Sequence, residues 1–152
     1  MNVHISSKLI AIGAGLGLIM LSPILAYAGC SQSDLAGTWD TYSMSVDSSG
    51  LLSPQTDYCK VRINSSGSIV ASKSSCKVRS WPGLLKGNIA GGSIKVNSSC
   101  KLKGSVTIIG TDVQAIIKLE YGTAAKDKRT FSLVGYDTIN PTYITHLTGV
   151  KR

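Results

Sequence analysis

From Ala36 onward the chain is written in short runs that alternate apolar and polar residues and are soon broken by Ser, Gly, Asn or Asp. "AGTWDTYSMSVD" (36–47) ends in "SSG", and "DYCKVRIN" (57–64) and "GSIVASK" (67–73) flank a second "SSG" before "CKVRSW" continues or restarts the arm. "GLLKGNIA" and "SIKVN" flank Gly91–Gly92, "CKLKGSVTIIG" (100–110) leads into "TDVQAIIKLE" (111–120), and "RTFSLVGYDT" and "YITHLTGVKR" close the chain. A period of two residues between tight turns belongs to antiparallel strands, since a helix needs a period near 3.6. Eight or nine strands with short connections predict an all-β fold, a single antiparallel up-and-down β-barrel of about eight strands, because closure removes the edges an open meander exposes. "GSIVASKSSCKVR" and "GSIKVNSSCKLK" form a weak internal repeat. It reads as one strand-and-turn pattern used twice, since a repeat array needs more copies.

Residues 1–28 carry a different pattern. A short n-region with Lys8 precedes the apolar "LIAIGAGLGLIML", and Pro23 precedes "AYA" at Ala26–Ala28, the order of a secretory signal peptide and its cleavage site. The expectation is a signal peptide over 1–28 and a single β-barrel domain over 29–152, exported to a periplasmic or extracellular space. No later run approaches the roughly 20 apolar residues of a spanning helix, so no transmembrane segment is expected.

The four cysteines, Cys30, Cys59, Cys76 and Cys100, all follow the predicted cleavage site. They are 29, 17 and 24 residues apart, whereas zinc sites use cysteines two to four residues apart or interleaved histidines, so no metal and no cofactor is expected. An exported chain of this size uses four cysteines as two disulfides. Cys59 and Cys76 flank the "NSSG" turn and can face one another across neighbouring arms, leaving Cys30 for Cys100. Of the three connectivities, Cys59–Cys76 with Cys30–Cys100 is expected. In "CKVR" (59–62), "CKVR" (76–79) and "CKLK" (100–103) the same alternation turns thiol and aliphatic inward and both bases outward.

Those bases belong to a larger asymmetry. The formal net charge is +8, and no Asp or Glu occurs between Tyr58 and Thr111. Lys60, Arg62, Lys77, Arg79, Lys101 and Lys103 are therefore candidates for an anion- or ligand-binding face, with Trp81 beside a barrel mouth. A one-sign field of this kind attracts an anionic small ligand, an anionic lipid or an acidic surface. Nucleic acid is disfavoured, because the bases are not interleaved with stacking aromatics. Catalysis finds no base beyond His146, which sits between threonine-containing strand positions, and no close carboxylate pair, so the chain does not read as an enzyme.

Three stretches resemble known families. "LAGTW" at 35–39 resembles the first-strand Gly-x-Trp signature of the calycins, the lipocalin and avidin-type barrels. That resemblance implies a barrel-end plug by Trp39 with a base of the last strand over it, Arg152 or Lys151. "DLAGTW" followed by "CKVRIN" and a further cysteine resembles the periplasmic inhibitors of serralysin-type metalloproteases. It implies a lipocalin-like barrel with a hairpin disulfide at Cys59 and Cys76, acting on a secreted protease through its amino-terminal segment. "AGC" at 28–30 resembles the end of a bacterial lipobox, which implies an envelope lipoprotein acylated at Cys30. Acylation would strand three thiols, so the disulfide reading is preferred. The expected function is an exported bacterial binding module that holds a small apolar or anionic ligand in the barrel or on its basic face. Protease inhibition and the lipoprotein are the alternatives.

Overall fold

The computed structural model describes residues 29–50, 54–80, 83–110 and 114–152, with 80 and 83–86 described by backbone alone. Eight strands make the sheet: β1 (Gly37–Asp47), β2 (Gln55–Ile63), β3 (Ser75–Ser80), β4 (Gly83–Val96), β5 (Lys101–Gly110), β6 (Gln114–Ala124), β7 (Thr130–Asp137) and β8 (Tyr143–Lys151). Each pairs antiparallel with its chain neighbours, and β8 returns to β1 to close the barrel. An even strand count is what lets the ends meet antiparallel. In an up-and-down chain a ninth strand would run parallel to the first.

Two local expectations are corrected. "GSIVASK" is not a strand: it makes only isolated bridges, Ile63↔Ile69 and Ser68↔Ser93, and then one 3-10 turn at Ala71–Lys73. The Asn64 side chain accepts the backbone N–H groups of Ser66 and Ser68, which tightens the turn, and β3 starts only at Ser75. Nor is Gly91–Gly92 a hairpin turn. β4 runs straight through it with a bulge between Ile89 and Gly91, where φ reaches 156° and 127°. Glycine takes these angles without steric cost, so the pair absorbs an extra residue and the ladder resumes. The two "GSI" segments of the internal repeat then meet: Ile69 N–H donates to Gly92 O and Ile94 N–H to Gly67 O.

The alternation read in the repeated motif is the alternation of the barrel. Cys59, Val61, Ile63, Cys76, Val78, Leu102 and Val106 are buried, and the intervening bases are exposed. Inside, small residues face large ones. A Cβ at Gly149 would overlap the Phe131 ring, and one at Gly122 the Leu133 side chain, so these glycines are the space those side chains fill. The disulfides are Cys59–Cys76, across a register pair of β2 and β3, and Cys30–Cys100, which spans 70 residues.

One end of the barrel is sealed. A 3-10 turn at Gln32–Leu35 lies across it, and Leu35 and Trp39 are each 1% exposed. Trp39 Nε1–H donates to Leu35 O at 2.8 Å, and its ring meets Phe131 at 4.7 Å between centroids. Gln32 spans to β4, donating to Ile94 O and accepting from Val96 N–H, so the segment is stitched to the sheet. The base over Trp39 is Lys151, its Nζ 5.6 Å from the ring centroid and donating to Asp34 O. Arg152 does not take that place. Trp39 pairs with Lys151 in the β1–β8 register and shares its inward face, so the next residue turns outward, where Arg152 meets Asp40 at 2.7 Å.

Candidate functional site

Eight strands enclose a space that side chains can fill, and beneath the open end the described ones fill most of it. Among the described residues, an interior void of about 30 Å³ is bounded by Val61, Ile89, Val106, Leu119 and Phe131 below and by Thr41, Ser43 and Thr145 nearer the open end. That void has room for a water or two and not for an organic ligand.

The open end is polar. A pocket of about 340 Å³ is bordered by Gln55, Gln114, Asp137, Asn140, Tyr143 and Thr145. Asp137 Oδ1 already accepts the backbone N–H groups of Ile116 and Ile139, and Asp47 accepts from Ser49, so both acids hold turns. Asp57 lies deeper, 8% exposed, accepting from Ser43 Oγ at 2.9 Å and Gln55 Nε2 at 3.1 Å. Burial pushes its carboxyl above the usual range, against the pull of those two donors. With three carboxylates at this end, the mouth disfavours an anion. Trp81 lies outside the described residues.

The outer wall has two unlike halves. On β2 to β5 the exposed outward positions include Lys60, Arg62, Lys77, Arg79, Lys95, Lys101 and Lys103. The ion pairs seen among the described residues involve Lys118, Lys128 and Arg152 and none of these seven. Lys95 donates to Ser66 O and Arg62 to Thr38 Oγ1, and neither is in an ion pair among the described residues. Sequence placed the six bases of the repeated motif together, and the structure does so in two groups: Lys60, Arg62, Lys77 and Arg79 on β2 and β3, Lys101 and Lys103 on β5. Lys103 faces Lys95 in the β4–β5 register.

The wall formed by β7, β8 and β1 carries one outward acid, Asp40, which Arg152 offsets. Its outward positions hold Thr, Ser, Val, Ile, Tyr and Met, with only Asp40 and His146 able to carry charge. Arg152 and the Tyr58 hydroxyl hold Asp40 ionised, well below the usual carboxylate range, and His146 Nε2 meets Ser132 Oγ at 2.9 Å. Tyr42, Met44, Val46, Val134, Ile144 and Val150 are exposed there. Where this neutral wall meets the basic one, an open groove of about 480 Å³ lies over Thr56, edged by Tyr42, Met44, Tyr58, Lys77 and Arg79, with His146 at its far side. Composition alone missed Tyr42, Met44 and Thr56. The signal was present, because Trp39 must face inward, and that sets Tyr42 and Met44 outward by count.

No family model and no curated protein matches the chain. Among solved structures, a redesigned β-barrel matches at 15% identity with a TM-score of 0.41, covering 80% of this chain and 95% of that one.

Proposed function

We propose that the protein is an exported, non-enzymatic binding module of lipocalin-like, calycin type that takes anionic ligands on its outer wall and not inside its barrel. The observation that carries this reading is the contrast between an apolar void of about 30 Å³, beneath an open end that holds three carboxylates, and seven exposed bases on β2 to β5 outside the ion pairs seen among the described residues. Charge of one sign, held on a rigid sheet, concentrates anions near it. The calycin likeness is supported by the buried Trp39 of the first strand and the last-strand base Lys151 over it. Export is supported by the signal-like residues 1–28 and by two disulfides. With Cys30 bonded to Cys100, its sulfur is not open to a thioether lipid. Insertion of Gly29–Asp34 into a protease would require breaking the contacts that hold this segment on the barrel end.

The test is retention on immobilised dextran sulfate over a salt gradient. K60Q/R62Q/K101Q/K103Q is compared with a variant that removes the same number of charges elsewhere, K118Q/K126Q/K128Q/R129Q. The first is expected to elute at clearly lower salt than the second, since localised cations release bound counterions together. Equal shifts would mean that net charge alone sets retention, and the reading would fall.

A further inference from the structure

At the height of Met44, the barrel is inverted. Ser43, Ser45 and Thr145 stand inside, with Ser45 Oγ and Thr145 Oγ1 2.8 Å apart, while Tyr42, Met44 and Val46 stand outside, 55%, 53% and 40% exposed. A wall that met only water would be more stable with these sets exchanged, so the apolar outer residues call for a cover.

The register states what kind of cover. Met44 pairs with Thr56, and Thr56 with Arg79, while His146 flanks Met44 from β8. The next outward row runs Tyr42, Tyr58, Lys77, with the two rings 5.1 Å apart. Short Thr56 between the longer Met44 and Arg79 leaves the groove, apolar at its β1 side and cationic at its β3 side. Its size falls in the range of small-molecule sites, about 300–1,000 Å³. Ser43 and Asp57 border the floor but turn their side chains inward, toward each other. The other seam between the two walls differs. There Lys118 is occupied by Glu120 at 2.8 Å and by the Tyr136 hydroxyl.

We propose that the groove binds a single-chain anionic amphiphile, its phosphate, carboxylate or sulfate at Lys77 and Arg79 and its apolar part along Met44 and Tyr42. This rests on the reading of the outer wall as anion-binding and names the ligand class of one part of it.

The test is calorimetric titration of the intact, oxidised protein with dodecyl phosphate below its micelle concentration, with inorganic phosphate, and with a neutral dodecyl glycoside. Dodecyl phosphate is expected to bind at least about tenfold more tightly than either comparison ligand, since only it uses both sides of the groove. K77Q/R79Q should weaken it about tenfold. M44Q should weaken it severalfold and leave inorganic phosphate unchanged, while K126Q/R129Q, away from the basic wall, should leave both unchanged. Equal affinity for dodecyl phosphate and inorganic phosphate would overturn the amphiphile site and leave the basic wall standing, and an equal loss in K126Q/R129Q would overturn it as an effect of net charge. Co-sedimentation with phosphatidylglycerol vesicles without binding of monomeric dodecyl phosphate would also overturn it, in favour of a bilayer surface. Absence of any anion binding would remove both readings.

Discussion

Asp57 is held in surroundings that work against its charge. Burial raises its affinity for a proton in the folded protein, and the Ser43 and Gln55 donors offset that only in part. A carboxyl whose folded value is raised binds its proton more tightly in the native state than in the unfolded chain. Stability is then greatest below the unfolded carboxylate range and falls as pH rises through the folded value. Asp57→Asn is expected to raise stability at pH 7 by about 1 kcal/mol, and the gain should vanish below about pH 4. Urea denaturation at several pH values measures both; a loss of stability at pH 7 would show that the ionised form is the favoured one. The same residues show what could be read in advance. The inward thiols and outward bases of "CKVR" follow from alternation because each strand there has one apolar phase. In β1 the apolar residues change phase: Trp39 faces in, and Tyr42 and Met44 face out. Hydrophobicity alone assigns the latter to the core, and only counting from Trp39 corrects it.

At the scale of elements, the uncertain places were those where turn chemistry and strand chemistry use the same residues. Ser-Gly and Gly-Gly punctuate hairpins, yet in β4 the glycine pair is a bulge inside a strand of 14 residues. Gly92 has φ 127°, and a Cβ there would collide with the backbone of Ser105 and Val106. Gly92→Ala is therefore expected to cost about 2 kcal/mol or more, combining backbone strain with overpacking. Its hydrogen-exchange signature should be lost protection along β4 and β5, with β7 and β8 retaining theirs. An unperturbed protein would show that the bulge relaxes into an ordinary register. The hairpin of β5 and β6 and the strands β7 and β8 were legible because turn residues separate their alternating runs, although β6 shifts register between Leu119 and Tyr121 and continues to Ala124, past the run read from Thr111 to Glu120. The last base was not, since choosing Lys151 over Arg152 needs the pairing of β8 with β1.

For the whole molecule, the disulfide framework was legible from cysteine number, compartment and turn position. The two-sided wall was not, because it appears only when β1, β7 and β8 become neighbours. The two bridges constrain different lengths of chain, 70 residues for Cys30–Cys100 and 17 for Cys59–Cys76. On loop entropy alone, replacing the first pair with alanines should cost about 4 kcal/mol and the second about 3 kcal/mol. Cys30 also anchors the turn that covers Trp39, so the first variant should lose more than this difference; thermal unfolding of both variants decides it, and the reverse order would show that the hairpin bridge dominates. The order of pairing around the barrel has a kinetic side as well. Seven of its eight interfaces join strands that follow one another along the chain, and only β1 with β8 joins distant ones, Ser45 meeting Thr145 across 100 residues. Loop closure is paid before such a contact can form. The meander can zip up hairpin by hairpin, and the rate of reaching the native state is then governed by how quickly its first and last strands find each other.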